Sequence, residues 1–470
     1  MKKNYLSLSV AIILSLVINQ YANAQTCAWA KKAGGTNGDF GMSVAADASG
    51  NVYYLGDFYS ATIVFGTTTL HNQPSQASNF GSEMFLVKYD SCGNFKWAKQ
   101  AGGKISTRGT SVTVDGAGNV YVTGYSNCDT TIFGTVKLGG NKNGYNIGFL
   151  VKYDPNGNAL WAQQVIGYDG AVKGFAVTKD ISNNVYVTGD FSSSYVRIGA
   201  DSVKNEYGNT TTSVFIAKFN NSGAIQWVQA GCGDYEGIGY GIGADASGNV
   251  YVAGTFGSTH IRFGNDSLAL SPSGYYDIFV VKYNTSGTEQ WLRTAGGSDD
   301  DEAMALASDA NGNVFVTGYI GGNSTVSFGS GQLLINTVPS KTVFLVKYNT
   351  SGTTQWVRGT EPDNGYYYSD NQGYNVTVDA SGNPYIIGFY SADSLKIGPV
   401  TLYNNSLNGG GGDTLKDIFV AKYKSNGILS WARTAGDTSN DFGYGIATEG
   451  KNLYITGEYM SPKISFAGIQ

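Results

Sequence analysis

Residues 245–254 read Asp-Ala-Ser-Gly-Asn-Val-Tyr-Val-Ala-Gly, and residues 277–283 read Asp-Ile-Phe-Val-Val-Lys-Tyr. Both stretches combine β-branched and aromatic residues with Gly, Asn or Asp, which is typical of short strands joined by tight turns. Trp291 follows eight residues after the second stretch. This order of turn, strand, lysine-containing strand and tryptophan recurs along the chain and decides the fold.

All seven tryptophans occupy the same place in this repeat. They are Trp29, Trp97, Trp161, Trp227, Trp291, Trp356 and Trp431, separated by 68, 64, 66, 64, 65 and 75 residues. Each repeat holds four short strand segments, and no segment of helical period competes with them. Four antiparallel strands repeated about seven times predict an all-β, seven-bladed β-propeller of four-stranded blades. An open solenoid is the alternative, but its repeats are shorter, about 20–45 residues.

The two ends of the repeat region fit each other. The chain after residue 24 begins with a fourth strand around Trp29, and its last repeat has a first strand near 443–447 and a second at 453–457. We expect the N-terminal strand to join this last blade and close the ring, which removes exposed sheet edges. The lysine-containing third strand occurs six times and not a seventh. The last blade therefore lacks one strand, or the chain continues beyond Gln470.

The N-terminus has the pattern of a targeting segment. Residues 1–24 contain two early lysines, an apolar stretch at 6–18 and a small-residue site at 22–24, which together indicate a signal peptide. The apolar stretch is short for a membrane-spanning helix, and an uncleaved anchor is the alternative. We predict a β-propeller over 25–470, secreted or held at the cell surface and without membrane insertion after cleavage.

Composition excludes several classes of protein. The 470 residues include 66 Gly and 13% aromatic residues but only 14% charged ones, which argues against disorder. Thirty basic against 35 acidic residues give a net charge of −5, which argues against a nucleic-acid partner. The whole chain has two histidines, which argues against histidine-based catalysis and against a histidine-rich metal site. We expect a monomer.

The repeat resembles the SBBP-type β-propeller repeat of bacterial secreted proteins. The resemblance is carried by residues 245–252 and 277–283 and extends over nearly all of the chain after residue 24. It implies an exported bacterial protein of the cell surface. It says little about activity.

An Asp-x-x-Gly-Asn turn recurs between the first and second strands, as at Asp245 to Asn249. Calcium binding is one interpretation, but calcium needs six to eight oxygen ligands and each turn offers a single acid. We predict instead that the Asp side chain caps the turn and that Gly adopts a positive φ. The tryptophans could stack on sugars. Their shared repeat position favours packing between blades.

The strongest indication of a binding site is in the loops that lead from each tryptophan strand to the inner strand of the next blade. These loops should surround one mouth of the central channel. Six of the seven loops carry acids, and like charges around a mouth raise the local cation concentration. A calcium ion or a cationic ligand is our site hypothesis, and simple solubility is the alternative. The candidate residues are Asp39, Asp234, Glu236, Asp300, Asp301, Asp363 and Asp441.

The four cysteines are an even set in a chain predicted to be exported, so disulfides are allowed. The loops between second and third strands are long, and we expect Cys27 and Cys92 to lie on the face opposite these long loops, in the first and last blades. A bond between them would fasten the ring closure. Free thiols are the alternative.

These observations favour an exported, non-catalytic binding, adhesion or scaffold module, with a glycan or protein ligand on the face that carries the long loops. No catalytic residue and no cofactor other than calcium is assigned. The alternative is a glycan-processing lyase or hydrolase with its site at the acidic channel mouth. A non-repeating cluster of acid, Tyr and Arg at that mouth would be its sign.

Overall fold

The computed structural model describes residues 10–17, 29–72, 81–140, 143–269, 276–362, 369–404 and 415–466. Within these residues the chain is built of β-strands, with one short 3-10 turn at Gly208–Thr210. The strands are short, and most of them pair antiparallel with a strand that is close in sequence. The predicted all-β propeller fold is confirmed.

The strands of the N-terminus and of the first three blades, with a short outer hairpin inside each blade, are β1 (Val10–Val17), β2 (Trp29–Gly34), β3 (Asp39–Ala46), β4 (Val52–Phe58), β5 (Thr62–Phe65), β6 (Thr68–His71), β7 (Glu83–Tyr89), β8 (Phe95–Gly102), β9 (Thr107–Val114), β10 (Val120–Ser126), β11 (Thr130–Phe133), β12 (Val136–Gly139), β13 (Ile147–Tyr153), β14 (Ala159–Gly167), β15 (Val172–Lys179), β16 (Val185–Phe191), β17 (Tyr195–Ile198), β18 (Asp201–Lys204), β19 (Ser213–Phe219) and β20 (Ile225–Gly233).

The strands of the next three blades and of the C-terminus are β21 (Gly237–Ala244), β22 (Val250–Phe256), β23 (His260–Phe263), β24 (Asp266–Ala269), β25 (Asp277–Tyr283), β26 (Glu289–Ala295), β27 (Glu302–Ser308), β28 (Val314–Ile320), β29 (Thr325–Ser327), β30 (Leu333–Ile335), β31 (Thr342–Tyr348), β32 (Thr354–Gly359), β33 (Glu361–Pro362), β34 (Gln372–Val378), β35 (Pro384–Tyr390), β36 (Ser394–Ile397), β37 (Val400–Tyr403), β38 (Asp417–Tyr423), β39 (Leu429–Gly436), β40 (Asp441–Glu449), β41 (Asn452–Tyr459) and β42 (Ser465–Phe466).

Six blades are each formed by one continuous stretch of chain, running from β3–β8 to β34–β39. The prediction of seven such blades is therefore wrong by one. The tryptophan count overestimates the number because the strand of Trp29 does not belong to a continuous blade. It belongs to a composite sheet that both ends of the chain share.

The composite sheet has the strand order β2-β1-β41-β40. Its inner strand β40 packs beside β34 of the sixth blade on one side and β3 of the first blade on the other. Strand β1 pairs antiparallel with β41 over its whole length and with β2 on its other edge. The sequence predicted no third strand for this sheet. In the structure residues 10–17 form that strand.

Each continuous blade is buried on both faces of its middle strands. Every residue of β22 and of β25 is buried, and Tyr251 and Val280 share one apolar cluster with Val314 and Phe344 of the next blade. The short hairpin of a blade pairs with the outer strand of the preceding blade, as in Ile132 opposite Gly102. Sheets covered on both faces have few positions for charged side chains, which explains the low charge of the chain.

The tryptophans lie between blades, as predicted. The ring of Trp291 packs on Gly352, which has φ of +74° in the turn between the third and fourth strands of the next blade. A Cβ at Gly352 would come within 2.8 Å of that ring, so only glycine fits there. The same contact joins Trp29 to Gly93 and so links the composite sheet to the first blade.

The third-strand lysines of the first five blades reach the same turn of the next blade, whereas Lys422 of the sixth blade pairs with Asp379 of its own blade at 3.3 Å. Lys282 is 8% exposed, its Nζ donates a hydrogen bond of 3.0 Å to the carbonyl oxygen of Thr350, and it lies 5.2 Å from the ring centre of Tyr251. Long basic side chains usually keep their charge solvated, but these five ammonium groups connect neighbouring blades.

The Asp-x-x-Gly-Asn turns are structural. Asp245 accepts hydrogen bonds from the main-chain N–H groups of Ser247 and Asn249, both at 2.9 Å, and from the Tyr251 hydroxyl at 2.8 Å. Gly248 has φ of +77°. The predicted capping role of the Asp and the positive φ of the Gly are both present.

Candidate functional site at the channel mouth

The inner strands of the six blades and of the composite sheet surround a central cavity of about 540 Å³. Loops between blades, and loops between second and third strands, lie at one end of it, which we call the long-loop mouth. Just below this mouth the cavity is lined by aromatic side chains from five inner or second strands. They are Tyr125, Phe175, Tyr240, Tyr374 and Tyr444.

One equivalent position at the start of the inner strand, the first or second residue of that strand, varies between blades. Around the mouth these residues are Phe40, Arg108, Lys173, Ile238, Glu302, Gln372 and Phe442. Each pairs in register with the end of the neighbouring second strand, whose residues are Asp57, Tyr125, Asp190, Thr255, Tyr319, Phe389 and Glu458. Equivalent positions of the repeat thus carry different chemistry at the mouth.

On one side of the mouth Arg108 and Asp57 form an ion pair. The Nε of Arg108 lies 2.9 Å from Asp57 Oδ2, and the Tyr125 hydroxyl lies 3.5 Å from Arg108 Nη1. Asp57 is 1% exposed, and burial raises its pKa to about 6 although Arg108 opposes the shift. This pair holds the first and second blades together and brings an acid, an Arg and a Tyr into one cluster.

The far side of the mouth carries Glu302, which accepts a 2.6 Å hydrogen bond from the Tyr319 hydroxyl. Lys341 lies 3.9 Å from the ring centre of Tyr319 and 3.3 Å from Asp370. Asp370 also pairs with Lys416 at 2.6 Å. Both lysines are therefore engaged with Asp370.

An acidic sector includes Glu302 and extends from it toward the third blade. By this sector we mean Asp190, Glu236 and Glu302 around Tyr240. Glu236 accepts a 2.6 Å hydrogen bond from the Tyr276 hydroxyl. Asp190 is 8% exposed, and burial together with the charge of Glu236 raises its pKa to about 6 although Lys173 opposes the shift. Burial raises the pKa of the Tyr240 hydroxyl, and all three carboxylates add to this effect.

Three of the predicted site residues are buried and hold loops in place through hydrogen bonds, which we call clamping a loop. Asp39, Asp301 and Asp441 are fully buried and accept hydrogen bonds from the loops between second and third strands. Burial raises the pKa of Asp301 to about 8 and that of Asp441 to about 6, and it also raises the pKa of Asp39. These three acids are therefore not open to the mouth, and cation binding by the predicted acidic residues stays a prediction. They are acidic because a carboxylate can accept several loop N–H groups at once.

The other predicted residues are dispersed. Asp234 is exposed and accepts two 2.8 Å hydrogen bonds from Thr259, and Asp300 is half-buried. Glu236 belongs to the acidic sector, and Asp363 lies outside the described residues. In the part of the chain that the structure describes, no group of three or more His, Cys, Asp or Glu side chains is placed to hold a metal ion.

Sequence reasoning missed Asp57, Asp190 and the role of Arg108. These residues stand at repeat positions where other blades carry Thr, Phe, Gln or Ile, so the signal was a departure from the repeat and not a motif. Cys92 is exposed, while Cys27 lies outside the described residues, so their disulfide stays a prediction. Among the described residues no helix is long and apolar enough to cross a bilayer.

Comparison with known proteins agrees with the fold. The family model described as a β-propeller repeat, SBBP, matches residues 96–129. A WD repeat-containing protein of Acanthamoeba polyphaga mimivirus, described as uncharacterized, is 24% identical over 96% of this chain and 37% of its own length. The regulatory protein FlaEY of Caulobacter vibrioides is 27% identical over 29% of this chain and 14% of its own length. The chain thus spans well under half the length of these relatives.

Two solved structures are also similar. The WD40 domain of Neurospora crassa Pan2 has 9% identity and a TM-score of 0.34, with 90% of this chain and 89% of that chain covered. A member of the DUF4221 family from Bacteroides vulgatus has 10% identity and a TM-score of 0.24, with 70% and 91% covered. The strand pairing and the repeat match together make this chain a β-propeller repeat protein.

Proposed function

We propose that this protein is a non-catalytic module that binds a ligand at the long-loop mouth of its channel and serves in binding, adhesion or scaffolding at the cell surface. One observation carries the proposal. Residues that join the blades are nearly the same in most repeats, whereas no two repeats place the same pair of residues at the mouth. A rigid scaffold that holds variable side chains in a concave site is the usual arrangement of a binding protein.

The ligand that fits this mouth is a glycan or a protein surface. Aromatic faces at Tyr240 and Tyr374 can stack, and polar groups such as Gln372 can accept or donate hydrogen bonds. Export through residues 1–24 is part of the proposal, because a surface role requires it. It accounts for the signal-peptide pattern of that segment.

The test is a binding screen of the recombinant protein against glycans and surface-protein extracts, with and without calcium. Arg108→Gln removes a charge at the mouth, and Lys424→Gln removes one from an exposed turn at the opposite end of the blades. We expect any captured ligand to be lost or weakened in the first variant and retained in the second. Equal loss in both, or no ligand in any screen, would contradict the proposal.

A glycan-processing enzyme is the second candidate, because Asp57, Arg108 and Tyr125 bring acid, Arg and Tyr together at the mouth. The burial of Asp57 and its ion pair favour a structural role for this cluster. Hydrolysis or elimination products from any glycan in the screen would establish the enzyme and remove the non-catalytic proposal.

A further inference from the structure

The acidic sector contains a carboxylate that the fold leaves incomplete. Oδ1 of Asp190 is buried and has no hydrogen-bond partner among the described residues. The hydroxyl of Thr255, at the equivalent position of the next blade, is also buried and also has none in that part of the chain. A buried polar atom without a partner destabilises the folded protein, so an unmet acceptor at a channel mouth points to a ligand that supplies donors.

Backbone geometry brings Asp190 and Glu236 to the same place. Asp190 pairs with Val214 across the third blade, and Glu236 forms a β-bridge with Thr212, two residues away on the same segment. The next inner strand crosses close above, since a Cβ at Gly239 would lie 2.5 Å from the Thr188 hydroxyl. The two carboxylates thus come from the third blade and from the segment that leads into the fourth, and they lie close enough for the charge of Glu236 to raise the pKa of Asp190.

The nearby cations Lys173 and Lys341 neutralise this sector only in part. Nζ of Lys173 lies over the ring of Tyr125 at 6.0 Å from its centre, on the side of the second blade. In the described part of the chain it forms no ion pair with Asp190. Lys341 is held by Asp370 and by the ring of Tyr319. The sector therefore keeps an excess of negative charge.

The walls of the sector are aromatic. The ring centroids of Phe175 and Tyr240 lie 5.5 Å apart. The hydroxyl of Tyr276 donates a hydrogen bond to Glu236, and that of Tyr319 donates one to Glu302. Aromatic faces beside carboxylates are the surroundings that attract organic cations. A metal ion would need its oxygen ligands at 2.0–2.6 Å from one centre, and the described carboxylates are not placed in that way.

We propose that Asp190, Glu236 and Glu302 bind an organic cation, an ammonium or guanidinium group that enters the long-loop mouth and lies against Tyr240. Such a group supplies several N–H donors and is large enough to bridge carboxylates on three different blades. This inference rests on the proposed binding function and adds the chemistry of the ligand. The cation is either a free polyamine or a basic side chain of a protein partner.

The experiment is titration calorimetry on the full chain with three probes: spermidine, a decapeptide of alternating Arg and Ser, and Ca²⁺ alone. The variant is E236Q combined with E302Q, which keeps side-chain shape and the hydrogen bonds from tyrosine. The matched control is E361Q, an exposed glutamate paired with Lys396 on an outer hairpin. A second variant, D190N, serves if the double variant unfolds.

We expect spermidine or the peptide to bind in low salt, with affinity about tenfold weaker in the double variant or in D190N and unchanged in E361Q. Binding of spermidine alone identifies a small cation as the ligand, and binding of the peptide alone identifies a protein side chain. No heat with either organic probe, equal binding by all variants, or binding of Ca²⁺ alone that depends on the sector would overturn this inference. A glycan captured through Arg108 while both organic probes fail would leave the proposed function standing.

Discussion

The indole Nε1 of Trp291 donates a hydrogen bond of 3.1 Å to the main-chain carbonyl oxygen of Thr350 in the following blade. Trp291 is 7% exposed, so the ring contributes both packing and this bond to the joint between the fourth and fifth blades. We expect Trp291→Ala to lower the free energy of unfolding by about 3–5 kcal/mol, as for other buried large-to-small changes. Trp291→Phe should cost less, because most of the packing remains.

Urea unfolding followed by circular dichroism measures both variants. Tyr403→Ala is the control, since that ring is 69% exposed on an outer hairpin and should change stability by less than about 0.5 kcal/mol. A cost for Trp291→Ala no larger than that of the control would contradict the role of the tryptophan in joining blades.

Lys282 and Trp291 donate to the same carbonyl oxygen of Thr350. Because one acceptor serves both donors, their contributions should not add. We expect a double-mutant cycle of Lys282→Met and Trp291→Phe to give an interaction energy of about 0.5–3 kcal/mol. Unfolding free energies of the two single variants and the double variant measure it. Additivity within about 0.3 kcal/mol would show that the two side chains act independently.

Asp245 closes its turn by accepting from two main-chain N–H groups and from the buried Tyr251 hydroxyl. Asp245→Ala leaves these donors unmet and should cost about 1–3 kcal/mol. Asp245→Asn should cost less, because Asn284 already accepts main-chain N–H groups in an equivalent way in another turn. Thermal melts with EDTA and with excess CaCl₂ should coincide for all forms. A calcium-dependent shift that Asp245→Ala removes would restore the calcium interpretation of these turns.

Asp301 makes stability depend on pH. Its pKa in the folded protein is raised to about 8 by burial, above the value near 4 of an exposed Asp. The folded state therefore holds a proton that the unfolded state has lost, and the contribution of Asp301 to the free energy of unfolding falls as pH rises from about 4 to about 8. Asp301→Asn should flatten the pH profile in this window, as measured by urea unfolding at several pH values.

Asp169 is the matched control for this prediction, because it clamps the equivalent loop of another blade. The Ser194 hydroxyl is the main cause that lowers the Asp169 pKa, so its contribution is present above pH 4 and is lost as pH falls further. Asp169→Asn should leave the profile between pH 5 and 8 unchanged. A flattened profile in both variants, or in neither, would contradict the assignment to Asp301.

Residues 10–17 cannot be both a strand of the folded protein and part of a cleaved signal peptide in the same molecule. As strand β1 they pair with both β41 and β2, and as part of a signal peptide they are removed. A chain that starts at Gln25 should expose both of these strand edges. We therefore expect it to melt at a lower temperature than the full chain and to self-associate in analytical ultracentrifugation. N-terminal sequencing of the exported protein establishes which form exists. Equal melting temperatures of the two forms would mean that β1 contributes nothing to the ring.

The fold was predictable because its determinants are local and repeated. The turn at Asp245, the tryptophan at 291 and the lysine at 282 each recur with nearly constant spacing, and a repeated residue needs only its neighbouring blade to explain it. The third strand of the composite sheet was not predictable, since residues 10–17 match a targeting pattern better than the repeat. Their place depends on pairing between distant ends of the chain.

The site was predictable only in part, because charge alone does not reveal which way a side chain faces. Glu236 was found among the loop acids, but Asp39 and Asp441 turned out to be buried acceptors for loop N–H groups. Asp190 was invisible in sequence, because it ends a strand that otherwise reads as buried core. Glu236, its neighbour in the acidic sector, lies 46 residues further on.

The tryptophan contacts between described units all run in one direction along the chain. Six of the seven tryptophans reach the glycine-containing turn of the unit that follows, as Trp29 does with Gly93 and Trp291 with Gly352. A gene that gained or lost one whole unit would therefore keep every remaining joint without inventing a new one. The size of such a ring can drift by recombination, and the residues at its mouth can be exchanged one unit at a time.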